Sequence, residues 1–216
     1  LLLLLLATKR SSQAQLSQHR DELQARHQQS EQARQLLAVI AQAQAAYINA
    51  QNQGEAFETL LARILELTAS QFGFIGEVLR DEQQAPYLRA YAISQQAWDY
   101  ASPELGDPTN NPSALDQLFE QALHSATPLF SNAPRSAAQQ AAHPGLRAFA
   151  GLPLQADGEL VGLLGLANRD GGYDQALVDF LQPLLATLGQ LIGALRRDIQ
   201  REQTQQRLQR QQAALR

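Results

Sequence analysis

From Ser11 to Gln53 the chain runs 43 residues without a proline or a glycine. Ala, Gln, Arg, Glu and Leu dominate this stretch, and because most are good helix formers it predicts a single helix of roughly 60 Å, at about 1.5 Å per residue. So polar a helix has too little apolar surface to pack on a globular core, and alone in water it is marginal. Leu16, His19, Leu23, Ser30, Ala33, Leu37, Ile40 and Tyr47 nevertheless fall on alternating three- and four-residue steps, with Arg26 and Gln44 in the missing places. That heptad seam, weak at first and stronger from Leu36, predicts a parallel two-stranded coiled coil and therefore a homodimer. A lone solvated helix or a Gln-rich linker is the alternative.

Glutamine supplies 32 of the 216 residues and crowds into both ends. With 17 Lys and Arg against 21 Asp and Glu, the net charge is −4, so the chain lacks the broad positive field that attracts nucleic acid. No nucleic-acid partner is expected. There is no cysteine, which excludes disulfides, thiolate metal sites, cysteine nucleophiles and thioether-linked chromophores. The four histidines (His19, His27, His124 and His143) show no metal-ligand spacing, so neither a metal nor a cofactor is expected. The chain opens with Leu1 to Leu6 and then Lys9-Arg10, with no initiator methionine. This start leads to the expectation of a piece of a longer protein. Six leucines cannot span a bilayer, but an apolar run ending in Lys-Arg has the pattern of a membrane helix meeting the cytoplasm. A short apolar cap is the other reading.

Past Gly54, read as the end of the long helix, Phe57, Leu60, Leu61, Ile64, Leu65 and Leu67 mark an amphipathic helix that opens a globular domain. Phe74, Ile75, Val78 and Leu79 predict a short strand, and Asp81 to Gln84 turn it into a second, Pro86 to Ser94. A polar loop, Gln95 to Pro112, and a helix from Ser113 follow. Leu129 to Ser131 forms a short strand, and residues Asn132 to Gly145 are irregular. Strands Arg147–Leu154 and Glu159–Asn168 pair across Asp157-Gly158, a strong hairpin signal. Asp174 caps a last helix whose apolar stripe reaches Ile199, with Pro183 inside it. Beyond Ile199 this helix becomes polar, with Leu208 and Leu215 seven residues apart.

Four stretches in this order resemble a GAF domain, the sensory module of many bacterial signalling proteins. They are Phe72 to Leu79; Ala92-Ile93-Ser94 with Ala97-Trp98-Asp99; Ser131 to Arg135 followed by His143-Pro144; and Gly162 to Arg169 running through Gly171-Gly172-Tyr173-Asp174 to Phe180–Leu185. The last looks like the GAF subgroup of membrane-anchored sensor histidine kinases and diguanylate cyclases. The resemblance covers roughly Glu55 to Leu195. It implies an α+β fold: a central antiparallel sheet, terminal helices on one face, and a ligand pocket under loops on the other. The cyclic-nucleotide pattern of the family is incomplete, since Leu177-Val178 stand where Asp-Glu would be. Bilin attachment and methionine-sulfoxide reduction both need cysteine. Ala133 replaces an Asp common in the subgroup.

The candidate ligand-binding residues are Glu77, Trp98, Asn132, Arg135, His143, Phe149 and Asn168. An indole can wall a pocket, an imidazole can donate to an anion, and a carboxylate on an apolar strand is either paired or functional. No nucleophile–base pair is present, so no enzyme is expected within this segment. The organisation expected is residues 1–10 as the end of a membrane helix with its basic boundary, 11–53 as a coiled-coil signalling helix, 54–198 as the sensory domain, and 199–216 as a linker helix to an output domain. The expected role is a non-catalytic sensory relay on the cytoplasmic side of the inner membrane, feeding a kinase or cyclase. Its alternative is a ligand-free dimerisation and spacer module.

Overall fold

The computed structural model describes residues 2–48, 53–94, 121–122, 126–132 and 145–214, and divides into two compact units, Leu1–Ala38 and Val39–Arg216. From Leu2 on, the first unit is the leading part of helix α1 (Leu2–Ile48). Along it the side chains from Gln18 onward face solvent, with Leu36 the buried exception, and Leu23 and Leu37 remain 58% and 64% exposed. Short-range pairs such as Arg34 Nη1 to Glu31 Oε1 (3.0 Å) decorate the surface.

The second unit begins within α1, where Val39 and Ala43 are buried. Helix α2 (Gln53–Thr68) follows, with Phe57, Leu60, Leu61 and Ile64 buried along one face, as its 3.6-residue periodicity predicts. Gly54 proves to lie in the first turn of α2 and does not terminate α1, which the structure follows to Ile48. A Cβ added there would meet nothing within 4 Å, so neither turn geometry nor crowding requires glycine.

Five antiparallel strands form one sheet in the order β2-β1-β5-β4-β3: β1 Phe72–Arg80, β2 Pro86–Ile93, β3 Leu129–Ser131, β4 Phe149–Ala156 and β5 Glu159–Ala167. Asp81 builds the β1–β2 turn, where its Oδ1 accepts from the amides of Gln83 and Ala85, both at 2.8 Å. Asp157 and Gly158, with φ of 53° and 82°, make the two-residue β4–β5 turn that right-handed strand twist favours. Asp174 caps α3 (Gln175–Ala214), accepting from the Leu177 amide at 2.9 Å.

Residues paired across antiparallel strands share a face, so the register sorts the sheet into two sides. One side carries Ile75 and Glu77 of β1, Leu164 and Leu166 of β5, and Leu152 and Leu154 of β4. Helix α2 covers it over β1 and β2, and α3 covers it over β4 and β5. Gly189 lets α3 approach closely, because a Cβ there would lie 2.1 Å from the backbone oxygen of Gln155. Helix α3 is long and apolar enough to cross a membrane by length and composition, but Leu181, Leu184, Leu188 and Ile192 of its stripe are fully buried in the domain core. The opposite side of the sheet carries Phe72, Phe74, Leu163, Ala167 and Phe149, which cluster with Ala122 and Leu146. Gly165 leaves room there for the Phe74 ring, whose Cε1 would stand 1.9 Å from an added Cβ.

Candidate functional site

Of the seven candidate ligand residues, Trp98, Arg135 and His143 lie outside the described residues, as do the loop from Gln95, the start of the helix at Ser113, and Ala133. The other four separate into two places.

Asn132, Phe149 and Asn168 meet at one end of the sheet. Ser131 pairs with Phe149, which pairs in turn with Ala167, so the residues just beyond β3 and β5 flank Phe149. Phe149 is 3% exposed and belongs to the apolar cluster on the face opposite α2 and α3. Asn168 is buried in the left-handed conformation, φ 59°. Its Oδ1 accepts from the amides of Arg147 (2.7 Å) and Ala148 (3.4 Å), and its Nδ2 donates to Gly145 O (2.6 Å) and Gln71 Oε1 (3.2 Å). The amide's bonding capacity is thereby spent on holding residues 145–148 against the start of β1. Asn132 closes a reciprocal pair with Tyr173: Nδ2 donates to Tyr173 O (2.7 Å), and the Tyr173 amide donates to Oδ1 (2.9 Å). Gly172, with φ 78°, leaves room for this clamp, since a Cβ there would stand 2.6 Å from Asn132 Oδ1.

Tyr173 also ties this end of the sheet to α2. Its hydroxyl lies 2.9 Å from Ser70 Oγ, which lies 2.9 Å from Thr68 Oγ1, itself donating to Ile64 O at 2.8 Å. Burial pushes the Tyr173 phenol up to about 12, against the opposing effect of these hydrogen bonds. The buried hydroxyl chain joins α2 to the turn that starts α3. Ser70 and Tyr173 stand 103 residues apart, and nothing in the sequence links them.

Glu77 stands elsewhere, toward the other end of the sheet and on the helix-covered side. It is 1% exposed and held by three donors: Arg89 Nη2 to Oε2 (2.6 Å), Tyr91 Oη to Oε2 (3.0 Å) and Arg196 Nε to Oε1 (2.8 Å). Arg196 further donates through Nη2 to the carbonyls of Val78 and Val161. The Tyr91 ring stacks on Phe57 of α2, centroids 4.7 Å apart. Burial first, then the Glu77 charge, raises the Tyr91 phenol above its usual range. Burial works to lower the Arg89 guanidinium, but its bond to Glu77 and that group's charge raise it overall. The carboxylate is thus a paired structural charge, on the opposite face of the sheet from Phe149. One signal for Arg89 was available in the sequence: a hairpin folded about residue 83 puts Glu77 opposite Arg89, as observed. Arg196, 119 residues away, carried none. Among the described residues no group of His, Asp or Glu could hold a metal ion.

This architecture has known counterparts. The family model described as GAF domain matches residues 50–193, and the chain belongs to the GAF family. Its members are sensory and regulatory modules, generally non-catalytic, some of which bind small molecules. Among solved structures, the chain resembles the GAF domain of a phosphoenolpyruvate-protein phosphotransferase from Coxiella burnetii (TM-score 0.54, 16% identity, covering 77% of this chain and 97% of that one). It also resembles the phycoerythrobilin-bound GAF domain of a cyanobacterial phytochrome (0.51, 16%, 73% and 93%). A third is the GAF domain of a protein described as a sensor histidine kinase from Pseudomonas syringae pv. tomato (0.50, 18%, 82% and 98%). At these identities the likeness is one of fold. No curated protein is significantly similar to the chain in sequence.

Proposed function

We propose that the chain is a dimeric, non-catalytic sensory relay: a small molecule binds at the Phe149 end of the sheet, and α1 and α3 carry the change along a two-chain coiled coil. The observation that carries this reading is the pair Leu23 and Leu37, both more than half exposed and two heptads apart on the rail they share with Leu16, Ser30 and Gln44. Burying two such side chains against a second copy removes apolar surface worth about 1.5–3 kcal/mol each from water. Residues 1–10 then end a membrane helix, 11–53 form the signalling helix, 54–198 the sensor, and 199–216 the linker to a kinase or cyclase output on the cytoplasmic side of the inner membrane. The kinase-type output is motivated by the Pseudomonas relative.

Chain connectivity supports the pocket assignment. In the sequence Arg135 stands three positions after Asn132 and His143 two before Gly145, so both belong to the segment that adjoins the Asn132–Phe149–Asn168 end. Trp98 stands five positions after Ile93, the last residue of β2. The apolar cluster beneath favours a ligand with an apolar body and a polar or anionic group for the imidazole and guanidinium.

The second reading, a ligand-free dimerisation spacer, is favoured by Asn168, whose amide hydrogen bonds are used up within the chain, and by Asn132, whose amide is engaged with Tyr173. A thermal-shift screen against a metabolite library separates the two. The sensory reading expects at least one compound to raise the melting temperature, with the gain lost in Trp98→Ala or His143→Ala. A screen without any such compound leaves the spacer.

A further inference from the structure

We propose that the Glu77–Arg196 pair is a buried lock that fixes the rotational setting of α3 on the sheet, and so aims the helix that leaves the domain.

The position of the pair argues for this. Arg196 is only 25% exposed at its side chain and spans three acceptors, on β1 (Glu77 and Val78) and on β5 (Val161). From Gln200 to Gln212 every residue of α3 is exposed, so Arg196 is the last anchor on a buried group before the helix runs into solvent; the next residue, Arg197, bonds Asp157 of the β4–β5 turn at 3.2 Å, but that pair lies at the surface. Apolar contacts at Leu188, Ile192 and Leu195 hold α3 to the domain but tolerate small rotations, whereas a guanidinium fork on a fixed carboxylate and two carbonyls defines an angle.

The pair can also open without stranding a buried charge. With Arg196 released, Glu77 keeps the countercharge of Arg89 and the Tyr91 hydroxyl, both on Oε2. The freed guanidinium has a polar place to go: a groove of about 650 Å³ that the pair itself lines together with Arg80, Arg89, Glu159, Gln200 and Gln203. Two arrangements, one latched and one solvated, give the two-state element that a rotating signal helix requires. Its use in signalling rests on the relay reading above, but its geometry is measurable within one chain.

The consequence of release grows along the helix. Gln211 lies fifteen residues past Arg196, about 22 Å of helix, so a swing of about 10° moves it roughly 4 Å. Because the chain contains no cysteine, Glu82→Cys on the β1–β2 turn and Gln211→Cys on α3 can be spin-labelled cleanly. Labelled chain diluted into unlabelled chain restricts the reading to intramolecular distances, whether or not the protein dimerises. The lock predicts one narrow distance distribution in the parent, a shift or broadening on the 4 Å scale in Glu77→Gln and Arg196→Gln, and no change in Arg89→Gln, which leaves the latch intact. Should Glu77→Gln fail to fold, Arg196→Gln decides, since its loss leaves Glu77 doubly bonded. A folded Arg196→Gln chain with the parent's distribution overturns the proposal, as does an equal shift in Arg89→Gln.

Discussion

Gly189→Ala and Gly54→Ala make the same chemical change in two helices, and the structure gives them opposite signs. At position 189 the new methyl would stand 2.1 Å from Gln155 O, 2.8 Å from its carbonyl carbon and 2.9 Å from its nitrogen. All three obstacles are backbone of β4, so no rotamer relieves them, and α3 must lift by more than an ångström to restore ordinary contact. Lifting it opens gaps beneath Leu188 and Ile192, both fully buried, where even a 0.5–1 Å gap forfeits about a quarter to a half of each contact's attraction. Overpacking of this kind costs about 1–3 kcal/mol, and rigid obstacles place it at the upper end. Alanine's better helix propensity returns about 1 kcal/mol, leaving a net loss of about 2 kcal/mol. At position 54 there is nothing to strike, so only the propensity gain remains, about 0.5–1 kcal/mol of added stability. Urea unfolding followed by circular dichroism, with hydrogen exchange at β4 and β5 to isolate the domain from the long helices, reads both. With a slope of about 1.5 kcal/mol per molar, the 189 variant should lose roughly 1.3 M in midpoint. A Gly189→Ala protein as stable as its parent would refute the close helix–strand approach on which the α3 packing argument stands.

Three further outcomes are expected. Tyr173→Phe should destabilise the domain by about 1–3 kcal/mol at neutral pH by leaving the Ser70 hydroxyl short of a partner. The same variant tests the alkaline limb. A phenol raised to about 12 in the fold from 10 favours the neutral form, so its contribution is whole below pH 10 and is lost as pH rises toward 12; denaturation curves at pH 9, 10 and 11 should fall less steeply with pH in Tyr173→Phe than in the parent. Asn168→Ala should cost about 2–4 kcal/mol and speed hydrogen exchange at the Arg147 and Ala148 amides, which donate to its Oδ1, while unchanged exchange there would contradict the clamp.

The sheet was legible because its signals are local. The Asp157-Gly158 turn, the Asp81 turn and the Asp174 cap each act within a few residues, and each is realised by hydrogen bonds or dihedrals of that short range. Strand β1 begins earlier than its apolar pattern indicates because Gly73, a poor strand former, is needed where β1 passes Gly165 O and Leu65. Gly54 shows the converse, a glycine whose usual meaning as a stop is not used. The site was legible only in part. Phe149, Asn132 and Asn168 do gather, but the amides spend their bonds on the chain itself. Glu77 was visible as a charge among apolar neighbours, and a sequence cannot say whether such a group is paired when its partner lies on a helix 119 residues on. The polar Arg196 follows the apolar stripe of α3 and reads as surface until the fold brings it over β1.

The central claim is that α1 is completed by a second copy of the chain. Sedimentation equilibrium of the whole chain tests it most directly, with Leu37→Asp alongside. The account predicts a mass twice the 23.7 kDa of one chain for the parent, falling toward 23.7 kDa when the exposed seam residue carries a charge. A parent that stays at 23.7 kDa at the highest concentrations reached, or a Leu37→Asp variant that dimerises as tightly as the parent, would contradict it.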